Sequence, residues 1–175
     1  QRVPIPTLPG TSWNLLALDG TCVTSRFAGD QGFERLHLLF DVFTGAIRQV
    51  ALNPSKKEAE SLEHFVLEPG WLILADRYYC SMKSFHHALQ AGAHLLVRWR
   101  RSTGLYRLEE PTKHWDWKTQ LKRLEPGESL GFWAWLGQGK TRVKVWVQAQ
   151  NLGRDFAQRE IERARQNKQK IRAEF

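Results

Sequence analysis

The sequence predicts an α/β domain built on a mixed sheet, and three observations carry that prediction. Two short, continuously apolar runs, WNLLALD at 13–19 and WLILAD at 71–76, read as strands buried within a sheet. Two further β runs, RLHLLFDVF and AIRQVALN, flank the turn FTGA with Gly45, so they form a hairpin. Helical stretches separate the later strands, and strand–helix–strand segments imply parallel neighbours with right-handed crossovers. A hairpin and crossovers in one sheet make it mixed.

The elements follow in chain order. QRVPIPTLPGTS, residues 1–12, reads as a linker; it opens without Met and has no signal-peptide core, as expected of the middle of a longer chain. After the first strand and the hairpin comes SKKEAESLEHFVLEPG, expected to be helical. Ser55 fits its N-cap with Glu58 three residues on, Leu62, Phe65 and Val66 form its apolar stripe, and Pro69-Gly70 stops it. In the hairpin's second run Ile47, Gln49 and Ala51 alternate with Arg48, Val50 and Leu52, a pattern that fits either face. The WLILAD strand leads into a second helix, SMKSFHHALQAG. Ser81 caps it, Met82, Phe85 and Leu89 share a side, and Gly92 ends it. AHLLVRWR is the last strand of a core spanning 13–102.

From about residue 100 the pattern changes. Six of the eight tryptophans lie between 99 and 146, among glycines, prolines and short alternating runs. Residues 103–150 are therefore expected to be an all-β insertion. In WDW (Trp115, Trp117) and WAW (Trp133, Trp135) the spacing puts each pair on one side of a strand, expected to form the insertion's core. Exposed instead, such a tryptophan could stack on an extruded base. Residues 151–175 read as a charged helix with a weak apolar stripe of Phe156, Ile161, Ala164 and Ile171.

Composition narrows the function classes. The chain has 175 residues, 42% hydrophobic and 25% charged, which is globular composition. No apolar run reaches the ~18 residues of a membrane span, so no membrane partner is expected. Cys22 and Cys80 give no disulfide framework and no metal-ligand spacing, and the histidines have none either. Small buried cysteines suit a reducing compartment. The net charge of +8 is unevenly placed: residues 1–97 carry −1, 98–144 carry +6 and 145–175 carry +3. A basic second half points to nucleic acid, with a solvated basic face as the other reading.

Asp19 and Asp76 each close an apolar run, 57 residues apart. In α/β sheets functional groups gather at the carboxyl ends of strands. Were the two strands neighbours, the carboxylates would repel unless a divalent cation lay between them. Mg²⁺ suits two carboxylates with water and phosphate oxygens completing its shell. Two such ions can support in-line phosphoryl displacement. Singly, each aspartate could also be a turn or capping residue.

LALDGT, HLLFDVFTGAIRQVALNPSKKEAESL, LILADRYYCS and GAHLLVRWRR, in that order over roughly residues 13–102, resemble the catalytic core of the IS4-type DDE transposases. The resemblance implies an RNase H-like fold: a mixed five-stranded sheet flanked by helices, with a β insertion and a C-terminal charged helix. It implies Mg²⁺-dependent (or Mn²⁺-dependent) strand cleavage and transfer at transposon ends, with Asp19 and Asp76 as catalytic metal ligands. Arg77 and Tyr79 match the positions after the second aspartate, where Tyr78 departs from the family's usual glycine. Together with Arg98, Arg100 and Arg101, they are the residues expected at DNA.

The implied partners are transposon-end and target DNA and a second copy in a synaptic homodimer. The implied location is the bacterial cytoplasm, at the nucleoid. The family's third acidic residue is a glutamate on a later helix in a spaced Tyr–Arg–Glu–Lys motif. Phe156 and Arg159 keep the first spacing, but Arg163 stands where the glutamate belongs, so Glu160, Glu162 and Glu174 are not assigned. A fragment or truncated copy, inactive alone, is the expectation. An inactive DNA-binding remnant and another RNase H-fold nuclease are the alternatives.

Overall fold

The computed structural model describes residues 13–24, 33–53, 61–100 and 102–173. The chain divides into two compact units, Gln1–Thr103 and Gly104–Phe175. The capping box at Ser55 and Glu58, Arg101, Glu174 and the 1–12 linker lie outside the described residues.

The first unit holds a five-stranded sheet of β1 (Asn14–Thr24), β2 (Phe33–Asp41), β3 (Ile47–Asn53), β4 (Trp71–Ala75) and β5 (His94–Val97), in the order β3-β2-β1-β4-β5. The β1–β2 and β2–β3 pairs are antiparallel, whereas β1–β4 and β4–β5 are parallel. This is the mixed α/β sheet that the sequence predicts. Period-two alternation sends Leu16 and Leu18 of β1, Leu39 of β2 and Ile73 of β4 to one face, at most 4% exposed. Leu62, Phe65 and Ala88 cover them. On the opposite face Val50, Leu52 and Leu96 are more than half exposed.

The hairpin turn is built by Asp41. Its carboxylate accepts from the Phe43 and Thr44 amides and from Arg48 Nη2, each at 3.0 Å. The Thr44 amide and then the Arg48 guanidinium hold this carboxyl down at about 2, against an ordinary 3.8. Gly45 takes the left-handed conformation that closes the turn, with φ +69°.

Two local expectations fail. Residues 61–68 are not an α-helix: a single 3₁₀ turn, Leu62–His64, is followed by extended chain. The Gln49 side-chain amide takes both polar groups of Val66, donating to its carbonyl at 2.6 Å and accepting from its amide at 3.0 Å. The helix's own bonds are thereby replaced, and Val66 is exposed. In α1 (Met82–Gln90) Ser81 does cap the Ser84 amide, at 3.2 Å. The helix, however, buries Ser84 and Ala88 rather than the Met82–Phe85–Leu89 side, and Leu89 is exposed. Small residues let the helix lie close to its neighbours, and the Ser84 hydroxyl accepts from the Leu62 amide at 3.4 Å.

The 103–150 insertion is not all-β, because it contains a short helix, whereas the charged helix expected at 151–175 is present. The second unit has an antiparallel sheet of β6 (Leu105–Tyr106), β7 (Ser129–Leu136) and β8 (Val143–Gln150), with α2 (Trp117–Lys122) and α3 (Arg154–Ala173). Asp116 caps α2 by accepting from the Thr119 amide at 3.2 Å, so Trp117 starts a helix and shares no strand face with Trp115. Leu105, Tyr106, Ala134, Leu136 and Val143 are the buried residues of this sheet among the described residues, with Trp115 stacked on Phe132 at 3.7 Å. Trp133 and Trp135 do share one side of β7, but they do not form a core: Trp133 is 50% exposed and Trp135 is half-buried. No helix among the described residues is long and apolar enough to cross a membrane.

Candidate active site

Strand register brings the two aspartates together. β1 and β4 are parallel neighbours with Leu18 opposite Ala75, and β4 and β5 continue the row with Ala75 opposite Val97. One residue further along each strand stand Asp19, Asp76 and Arg98. Neighbouring strands lie ~4.8 Å apart, so two acids and a base stand side by side where β4 and β5 stop. Asp19 is not at a strand end as expected: β1 continues to Thr24 because it goes on pairing with β2.

Each carboxylate is fixed locally and stays open to solvent. Asp19, still within β1 and opposite Leu38, accepts from the Gly20 amide on Oδ1 at 2.9 Å. Asp76 leaves β4 and caps a 3₁₀ turn, Arg77–Tyr79, accepting from the Arg77 amide on Oδ1 at 2.6 Å. The capping reading of Asp76 is thus also met, through one oxygen. Arg98 Nη1 approaches Asp76 Oδ1 at 4.0 Å, with the two side chains 77% and 47% exposed. Such a long, wet pair contributes ~0–1 kcal/mol, so a bound cation could displace it at little cost.

The donor set fits a hard divalent ion. Two exposed carboxylates on adjacent strands supply the few protein oxygens that Mg²⁺ takes, with room for water and phosphate. Among the described residues no group of three His, Cys, Asp or Glu could hold a metal. Glu160 and Glu162 lie exposed on α3 in local contacts, Glu160 at 3.8 Å from Arg163 and Glu162 accepting from Gln158 at 2.9 Å.

The residues expected at DNA separate. Arg77 and Arg100 are exposed, and their guanidinium carbons lie 5.6 and 5.8 Å from the centre of the Tyr78 ring. Tyr79 is not a surface residue: it is 1% exposed, and its phenol oxygen lies 2.6 Å from His37 Nδ1. The short turn after Asp76 sends Tyr78 outward and Tyr79 inward, so Tyr79, expected at DNA, is instead part of the core. Sequence reasoning also passed over His37. The signal was its position in RLHLLF, in phase with buried Leu39, where a polar ring needs a partner.

In the second unit β7 and β8 pair Trp133 with Trp146, whose rings meet edge to face at 5.4 Å. Lys144 Nζ lies 5.1 Å from the Trp133 ring centre, and the Arg142 guanidinium 4.4 Å from that of Trp135. This sheet face is therefore aromatic and cationic at once.

A cryo-EM structure of a piggyBac transposase synaptic complex with hairpin DNA is similar to this chain at 10% identity and a TM-score of 0.42. The similarity covers 79% of this chain and 33% of that one, so the chain spans about a third of that protein's length. No curated protein matches. Residues 14–174 match the family model described as a transposase DDE domain, a span that takes in both aspartates and both sheets. The chain belongs to the transposase DDE domain family.

Proposed function

We propose that the chain carries catalytic machinery of an IS4-type transposase, cutting and joining DNA strands at transposon ends with Mg²⁺ or Mn²⁺ as cofactor. The observation that supports this most directly is the β1–β4 register, which sets Asp19 and Asp76 on neighbouring parallel strands. Asp19 and Asp76 would hold a divalent ion, which when bound would activate a water and neutralise charge on the scissile phosphate. Arg98, beside Asp76, stands ready to pair with a phosphate oxygen once released from the carboxylate, and Arg77 and Arg100 extend that basic rim. The Trp133–Trp146 face, with Lys144 and Arg142, offers stacking and cations to unpaired bases and backbone. A third acidic ligand comes from outside the described residues, and a second copy completes a synaptic assembly in the bacterial nucleoid.

The test is transposition by the full-length protein. Asp19→Ala and Asp76→Ala should each abolish strand cleavage while end binding persists. Cleavage retained by either variant refutes the assignment. A second reading, DNA binding without cleavage, draws on the two-carboxylate site and the aromatic, cationic sheet. Metal-dependent nicking distinguishes the two, whereas salt-sensitive DNA binding is common to both.

A further inference from the structure

A buried hydrogen bond connects the supports of the two aspartates. His37 and Tyr79 are 0% and 1% exposed, with His37 Nδ1 2.6 Å from the phenol oxygen. His37 is the cross-strand partner of Gly20, the residue after Asp19. Tyr79 closes the turn that begins at Asp76, its amide donating to the Asp76 carbonyl at 3.0 Å. The bond therefore reaches from the strand beside Asp19 to the turn that holds Asp76.

Gly20 is what leaves room for it. A Cβ at that position would come within 2.9 Å of His37 Nδ1 and 3.0 Å of the Tyr79 oxygen. Gly20 is not among the glycines with positive φ, so the need is space rather than backbone conformation. Nor is the pair the cheapest way to fill the core. His37 Nε2 is buried without a hydrogen-bond partner among the described residues, and burial holds the ring's pKa below its ordinary value. Apolar side chains of similar shape would avoid both costs. The arrangement buys geometry at the expense of stability.

We infer that His37 and Tyr79, bonded beneath Gly20, are positioning residues that set the separation of Asp19 and Asp76. The inference rests on the proposed metal role of those aspartates. Mn²⁺ binding to the whole chain, followed by titration calorimetry, tests it together with the backbone amide resonance of Arg77. Tyr79→Phe and His37→Leu should each weaken Mn²⁺ binding about tenfold, the scale seen when groups supporting metal ligands are lost. The double variant should be no weaker than either single one, and His37→Gln, which keeps a hydrogen-bonding group, should recover part of the affinity.

His37→Leu should also shift the Arg77 amide, and should cease to do so in the Tyr79→Phe background. A purely structural pair predicts a lowered melting temperature with Mn²⁺ affinity and the Arg77 resonance at wild-type values, and that result overturns the inference. If wild type and Asp19→Asn bind Mn²⁺ equally, the metal reading fails instead. The Arg77 response then decides alone whether the connection exists. Should His37→Leu not fold, His37→Gln and Tyr79→Phe carry the same comparison.

Discussion

β1 and β4 of the first unit, and β7 and β8 of the second, alternate with the same period but put it to opposite uses. In the first unit the large apolar side chains go inward: Leu16, Leu18, Leu39 and Ile73 are nearly inaccessible, and the exposed acids Asp19 and Asp76 stand where β4 stops beside a continuing β1. In the second unit the inward positions are modest residues such as Ala134, Leu136 and Val143, while Trp133 and Trp146 stand half exposed among cations. Carboxylates sharing a small ion need an unyielding frame, since a shift of an ångström alters coordination. A surface that grips a flexible polyanion needs contact area and charge instead. By unit, residues 1–103 carry a net +2 and residues 104–175 a net +6, so most of the basic charge lies with the second.

Substitution sharpens this contrast. Leu39→Ala, in the completely buried centre of the first sheet, should cost about 2–5 kcal/mol in denaturant unfolding. Trp133→Ala removes a larger side chain yet should cost about 1 kcal/mol, because mainly the edge contact with Trp146 is lost. Comparable losses at the two positions would break the distinction between a packed frame and an exposed surface. In DNA binding the order reverses. Trp133→Ala should weaken single-stranded DNA binding by about 1–3 kcal/mol, while Leu39→Ala, where still folded, should bind as wild type.

The smallest effect concerns the hairpin. The Asp41 carboxyl sits at about 2, below its ordinary 3.8, so the stability it contributes is present above 3.8 and lost as pH falls through about 2. Asp41→Asn should therefore lower the melting temperature at neutral pH, with the deficit shrinking as pH falls toward 2. A deficit independent of pH would mean that the turn depends on shape alone. His37 works in the same direction at higher pH. Its lowered pKa means that the unfolded chain takes up a proton first, so its contribution is full above 6.5 and erodes as pH falls below it.

The parts of the fold readable in the sequence were those fixed by local pattern. Asp19 and Asp76 each end an apolar run, the hairpin announces itself by FTGA, and Ser81 caps α1 as its position implies. What escaped depends on contacts distant in the chain. Residues 61–68 have a helical pattern, but Gln49, 17 residues earlier, takes the backbone groups of Val66. The inward turn of Tyr79 follows from His37, 42 residues away. Trp117 is different, since Asp116 was a readable cap whose signal the strand-like WDW spacing masked. At the site the pairing of the aspartates followed from topology, whereas which tyrosine faces outward could not be told from two adjacent identical residues.

The most direct test of a shared ion site uses Mn²⁺ as a paramagnetic probe on the isotopically labelled chain. The amides of Gly20 and Arg77, which donate to the Asp19 and Asp76 carboxylates, report from both sides of the site. Both resonances should broaden together as Mn²⁺ is added, and both should stay sharp in Asp19→Asn and in Asp76→Asn. Broadening at one amide alone, or at both in either variant, would contradict a site held jointly by the two aspartates.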